Sequence, residues 1–285
     1  MNVPAADDLS YALRWRVRGL QPGAHRAAGA SSAGVFRQVV PFDRNPDARR
    51  LDLRRSLRDP FGQWFVREYE PRANVTVTAL VDVSGSMAYG PLPGATDKLA
   101  LAARLCAALA SAARAIGDPF GLYACGTDIA PTSFPPRRNG PRAETIAASL
   151  RATLPRGDSA RGLIDAAALL AGKRKLVFLL SDFAFPLDEA ARILDALWPH
   201  DVVPVVLDDD ALDHMPRWGL ADVADLETGR RRLLVLRPSL LARWREAAQT
   251  RAAAFARLCA DRGYRPFRVP GALDVDAFGT YLAGR

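Results

Sequence analysis

The sequence predicts an α/β fold: a doubly wound, mostly parallel sheet flanked by helices, with a small β-containing N-terminal extension. Three observations predict it. The runs VTVTALVDV (75–83), KLVFLLSDF (175–183) and DVVPVVL (201–207) are nearly continuous in apolar and β-branched residues, as strands buried on both faces are. Helical patterns separate them, giving the strand–helix alternation of a parallel sheet. The first two runs also end in small oxygen-bearing turns, at the strand tips where open α/β sheets bind ligands.

Taken in order, residues 1–34 form a Gly/Ala/Ser-rich lead-in with a short strand expected at Leu13–Val17. Gly34–Phe42 and Gln63–Glu70 alternate apolar and polar residues, the pattern of half-exposed strands. After the strand over 75–83, a helix is predicted over Thr96–Ile116, capped by Thr96 or Asp97. The strand PFGLYACG and the Pro-rich loop PTSFPPRRNGP follow, then helices over Arg142–Leu154 and Ala160–Leu170. Beyond the strand over 175–183, Leu187–Trp198 is helical, Asp201–Leu207 is a strand, Asp208–Asp210 opens a polar stretch, and Ser239–Arg262 is an amphipathic helix. Two domains result: an extension over 1–73 and an α/β domain over 74–285.

Length and composition exclude several classes. The chain has 285 residues, 49% hydrophobic and 25% charged, which fits a globular protein and neither a disordered chain nor a coiled coil. Its longest uncharged apolar stretches fall short of the ~18–20 residues of a membrane span, and no signal peptide is evident, so a cytoplasmic location is expected. Cys106, Cys125 and Cys259 are widely spaced among apolar neighbours and read as buried, reduced thiols. His25, His200 and His214 read as surface residues without an obvious role as general base.

The net charge of +8 is localised. Residues 1–73 carry 13 Arg against 8 acids, a net of +5, leaving +3 for the remainder. Arg44, Arg49, Arg50, Arg54, Arg55 and Arg58 alternate with Asp43, Asp47, Asp52 and Asp59, with few aromatics to stack on bases, so nucleic acid is not the expected partner. An ion-paired solvated face and a docking surface for an acidic protein both fit. Arg49, Arg50, Arg54, Arg55 and Arg58 are the candidate partner-binding residues.

The chemistry concentrates at two strand tips. VDVSGSM places Asp82, Ser84 and Ser86 on one turn, and LLSDF places Ser181 and Asp182 on another. A hard divalent cation takes about six oxygens and few carboxylates from one chain, so one carboxylate and two hydroxyls at i, i+2 and i+4 suit it. Ser84 or Ser86 could instead cap a following helix, and Asp82 could bond turn amides. The second tip favours metal.

These residues resemble the metal-ion-dependent adhesion site (MIDAS) of the von Willebrand factor A domain. There a D-x-S-x-S turn, a hydroxyl from a second loop and an aspartate from a third hold Mg²⁺. The resemblance implies Asp82, Ser84 and Ser86 for the first loop and Asp182 for the third. The second loop departs from the usual Gly-Thr: RGDSARGLIDAA offers Ser159 for the hydroxyl, or Asp158 as a further carboxylate. Mg²⁺ is the implied ion, with Mn²⁺ or Ca²⁺ as alternatives.

The segment PDARRLDLRRSLRDPFGQWFVREYEPR is similar to the one preceding the A-type domain in the bacterial domain-of-unknown-function 58 family. Leu53 stands where that family usually has tryptophan, and Asn45-Pro46-Asp47 replaces its Gly-Asp-Asp. LWPHDVVPVVLDD and GLADVADLETG are also similar, so the likeness spans about residues 36–236. It implies a MoxR-type AAA+ ATPase as partner and a chaperone-like role in maturing metalloenzymes or complexes. Short members with the leucine-containing segment resemble the MxaS-type proteins of methanol-oxidation operons, linked to a calcium-dependent dehydrogenase.

The expected function is a non-enzymatic, metal-dependent protein-binding module whose client is undetermined. The alternative is a metal-dependent hydrolase or phosphotransferase with Asp82 as nucleophile, although haloacid-dehalogenase-like enzymes need a second acid where this chain has Ser84. Asp208, Asp209, Asp210 and Asp213 lack the spacing of an EF-hand and read as a solvated turn.

Overall fold

The structure is a computed structural model, and it describes residues 9, 11, 13–17, 23–27, 34–88, 97–157, 159–208, 215–224 and 231–285, without the side chains of 222–224 and 232. It divides into two compact units, Leu13–Val75 and Met1–Ala12 with Thr76–Arg285.

In the smaller unit, β1 (His25–Arg26) and β2 (Gly34–Pro41) flank β3 (Phe65–Ala73) in an antiparallel sheet ordered β1-β3-β2. The strand expected at Leu13–Val17 does not form: the chain bends at Arg14 and Trp15, and Val17 makes an isolated bridge with Ala27. Among the described residues, β1 is only two residues long and offers no longer partner. Between β2 and β3 the Arg-rich segment folds into short helical turns, including α1 (Leu53–Ser56). Its acids serve the backbone. Asp47 accepts from Arg49 N, Asp52 from Arg55 N, and Asp59 from Phe61 N and Gln63 N.

The larger unit is built on a six-stranded sheet: β4 (Val77–Asp82), β5 (Phe120–Cys125), β6 (Phe134–Arg137), β7 (Leu176–Ser181), β8 (Asp201–Asp208) and β11 (Phe267–Pro270), with β9 (Gly219–Ala224) and β10 (Arg231–Leu236) forming a separate hairpin. The order is β11-β8-β7-β4-β5-β6, and every pairing is parallel except β5–β6. Counted in chain order within this sheet, that is 3-2-1-4-5-6, the doubly wound arrangement expected, with an antiparallel edge. β4, β5 and β7 are buried along their whole lengths.

The segment expected as a Pro-rich loop contains β6. Pro135 and Pro136 are tolerated because β6 is an edge strand, where the missing N–H groups break no inner ladder. Pro204 sits inside β8 for a related reason: pairing with β11 begins at Val205, leaving that edge open at Pro204.

The helices are α2 (Lys98–Ile116), α3 (Ala143–Ala152), α4 (Arg161–Leu169), α5 (Leu187–Ala196), α6 (Pro238–Ala260) and α7 (Val275–Ala283). Asp97 caps α2 by accepting from Leu99 N, and Gly117 ends it in the left-handed region at φ 79°. By length and composition alone α2 could cross a membrane (mean hydropathy 1.6), but Leu101, Leu105, Leu109 and Ala113 bury it in the domain. The three cysteines are buried free thiols, as expected, and burial pushes each thiol's pKa up.

Gly162 fixes where α4 begins. An added Cβ would lie 2.8 Å from Asp128 and Gly126 backbone atoms, while Gly162 N donates to Gly126 O at 2.8 Å. Gly162→Ala, ordinarily favourable in a helix, is expected here to destabilise by about 1–3 kcal/mol in denaturant unfolding.

His200, expected at the surface, is buried at 3% exposure, and its Nδ1 has no hydrogen-bond partner. It lies just beyond α5, where the chain turns into the buried β8. Burial, with Lys175 and Arg174 nearby, lowers its pKa to about 4. A folded-state value below the unfolded 6.5 means full stability above pH 6.5, lost progressively as pH falls toward 4. Discounted for partial solvation, the loss is about 1–3 kcal/mol. His200→Gln should flatten the pH dependence of the melting temperature in that window.

Candidate metal centre

β4 and β7 are neighbours, yet the chain leaves β4 toward β5 on one side and enters β7 on the other, so the crevice beyond their carboxyl ends is the sheet's switch point. Asp82 ends β4 and Ser181 ends β7, which brings the two oxygen-bearing turns together.

Asp82 is fully buried. Its Oδ1 accepts from Ser84 N at 2.8 Å and its Oδ2 accepts from Ser181 Oγ at 2.6 Å. Ser181 Oγ in turn accepts from Phe183 N at 2.8 Å, locking the two tips to each other. Ser84 Oγ lies 3.2 Å from Ser86 Oγ, which donates to Asp182 Oδ1 at 3.1 Å; Ala184 N donates to that oxygen too. Asp82, Ser84, Ser86 and Asp182 therefore form one connected cluster, with Ser86 and Asp182 at its accessible side. Desolvation raises the Asp82 pKa to about 6, with the Asp182 charge adding to the rise and the Ser181 and Ser84 bonds opposing it.

Phe183, directly after Asp182, has φ 52°, a strained value for an aromatic residue. Its ring packs 4.2 Å from that of Phe255, and Arg251 Nη2 donates to the Phe183 carbonyl at 2.6 Å, so the surroundings hold the turn that aims Asp182.

The second loop adjoins the first: Gly85 N donates to Gly157 O at 2.9 Å and Arg156 N to Val83 O at 3.0 Å. Ser159 is turned to other work. Its Oγ accepts from Arg161 N at the start of α4 and lies 3.5 Å from Glu189 Oε1. Asp158 lies outside the described residues, as do Asp209, Asp210, Asp213 and His214. Asp208 pairs with Arg268 at 2.6 Å.

One member of the cluster has no signal in the sequence pattern. Lys98 Nζ donates to Asp182 Oδ2 at 2.7 Å and to Ser86 O at 3.4 Å, with the lysine and aspartate side chains 9% and 7% exposed. A lysine at the head of an apolar helix reads as solvent-facing; only the strand tip 84 residues later reveals its partner.

The donor chemistry fits a hard divalent cation: two carboxylates and adjacent hydroxyls, with an ammonium already drawn to one carboxylate. Among the described residues there is no group of three or more His, Cys, Asp or Glu that could hold a metal, so such an ion would depend on the serines. Ser84, Ser86 and Asp182 would hold it, with Asp82 beneath them.

Of the candidate docking residues, Arg50 is committed internally, paired with Asp47 at 3.2 Å and placed over the Tyr69 ring. Arg49, Arg54, Arg55 and Arg58 are exposed, with Arg55 over the Phe65 ring and Leu53, Leu57 and Phe61 exposed among them.

A family model described as "Protein of unknown function DUF58" matches residues 38–254. A Paracoccus denitrificans protein, "Uncharacterized protein in moxR 3'region", is 42% identical over 98 residues, 34% of this chain and 93% of the relative. Among solved structures, BatB from Bacteroides thetaiotaomicron aligns with 14% identity and a TM-score of 0.47, over 74% of this chain and all of that one. Proximal thread matrix protein 1 from the mussel byssus, with a zinc-occupied MIDAS motif, aligns with 18% identity and a TM-score of 0.33, over 47% of this chain and 38% of that one.

Proposed function

The chain belongs to the DUF58 family, and on that premise we propose that it is a non-enzymatic, metal-dependent protein-binding module acting in the cytoplasm with a MoxR-type AAA+ ATPase. The observation that carries this reading is the convergence of Asp82, Ser84, Ser86 and Asp182 at the switch point. A Mg²⁺ ion there would complete its shell with a carboxylate from a partner. One such ligand exchanged for water contributes modestly, so most affinity comes from the surrounding surface.

The name of the Paracoccus relative, in the moxR 3' region, supports the choice of ATPase. Maturation of a metalloenzyme or complex is the role this pairing suggests, with methanol dehydrogenase as one client. The hydrolase alternative is less well supported, because the Asp82 side chain is fully buried and each of its oxygens already accepts a hydrogen bond, from Ser84 N and Ser181 Oγ.

Pull-down of a MoxR-type AAA+ ATPase from the same organism tests the reading. Binding should be lost in EDTA and restored by MgCl₂; binding indifferent to EDTA and to Asp82→Ala overturns it. The Arg-rich turn should act on encounter. Reversing Arg54 and Arg58 to Glu is expected to slow association at least tenfold at low salt and to weaken its salt dependence, as measured by surface plasmon resonance.

A further inference from the structure

Lys98 is placed against local preference. It opens α2, where the helix dipole disfavours a cation, and it is buried, which lysine tolerates only beside a counter-charge. What it gains is Asp182: its ammonium sits 2.7 Å from Oδ2, while Ser86 Oγ holds Oδ1 at 3.1 Å. The ammonium thus occupies the same carboxylate, and approaches the same turn, that a divalent ion would use.

We infer that Lys98 is a tethered cation built into the site: it neutralises Asp182 when no divalent ion is bound, competes with the ion for that carboxylate, and makes the loaded site one charge more positive than it would be without the lysine. This rests on the metal-dependent reading above. Asp82 and Asp182 contribute two negative charges and Lys98 one positive, so these side chains sum to −1 without a divalent ion and +1 with it. Without Lys98, the ion and the two aspartates would sum to zero. The added positive charge attracts a partner's carboxylate more strongly than that neutral set would. Lys98 therefore weakens metal affinity while favouring an anionic final ligand, and it keeps the strand tips together when the metal is absent.

Calorimetric titration of MgCl₂ into the wild-type chain, Lys98→Met and Lys98→Arg tests the inference. Lys98→Met should bind Mg²⁺ at least tenfold more tightly, and Lys98→Arg within about threefold of wild type. In EDTA, Lys98→Met should melt below wild type, and MgCl₂ should raise its melting temperature by more than it raises that of wild type. If wild type binds Mg²⁺ and folded Lys98→Met binds it no more tightly, the inference fails while the metal reading stands. If neither binds Mg²⁺ or Mn²⁺, both fail. Lys98→Gln repeats the charge removal; if neither neutral variant folds even in MgCl₂, Lys98 is purely structural and the inference is overturned.

Discussion

Asp82→Ala is expected to abolish Mg²⁺ binding, with at least a 100-fold loss of affinity by calorimetry and a matching loss of metal-dependent ATPase capture. Asp82 supplies charge beneath the serines and also organises them. Removing it leaves Ser84 N and Ser181 Oγ without the acceptor that joins the tips of β4 and β7. Groups that only orient metal ligands already change affinity by about 10–100-fold when lost, and Asp82 adds a formal charge to that role. Two buried donors left unsatisfied cost about 1–3 kcal/mol each, so the variant should also unfold at lower denaturant. Asp82→Asn keeps an acceptor on the tip and is expected to lose metal binding with a smaller stability change, which separates the two effects.

The second large effect concerns stability alone. Arg285 and Asp201 form an ion pair at 2.7 Å with side chains only 3% and 6% exposed. Arg285→Ala is expected to destabilise the protein by about 3–5 kcal/mol in urea unfolding, because it strands the Asp201 carboxylate at the start of a buried strand. Asp201→Asn in the same background should recover much of the loss. If Arg285→Ala unfolds at the wild-type midpoint, the pair contributes nothing.

The parts of the fold legible in the sequence are those dominated by local apolar pattern. β4, β7 and β8 are runs that only a doubly buried strand tolerates, and α2 and α6 carry long helical periodicity with Asp97 and Pro238 at their starts. β6 and β11 were not legible, since each is four residues long and contains proline, and each exists because a longer neighbour offers an edge. Leu13–Val17 shows the converse: its composition suits a strand, but its one bridging partner, Ala27, gives it no ladder.

The site divides in the same way. Asp82, Ser84 and Ser86 share one turn and Asp182 ends a recognisable strand, so spacing and strand order bring them together. Lys98 is invisible to such reasoning, because its role depends on a contact 84 residues distant that no local pattern encodes. The burial of His200 likewise follows from tertiary packing rather than from the residues beside it. In the Arg-rich turn, alternating signs suggested mutual pairing. That pairing forms between Arg50 and Asp47, whereas Asp52 and Asp59 bond backbone amides, Asp52 also pairing with Arg67, and Arg54 and Arg58 remain exposed.

A divalent cation held between the tips of β4 and β7 should be visible by anomalous scattering in a crystal of the protein grown or soaked with Mn²⁺. The expected result is a peak bounded by Ser84, Ser86 and Asp182, at hard-cation distances of about 2–2.5 Å from their oxygens, with Lys98 drawn away from Asp182 Oδ2. A site with no peak at saturating Mn²⁺, with Lys98 still on Asp182, would contradict it.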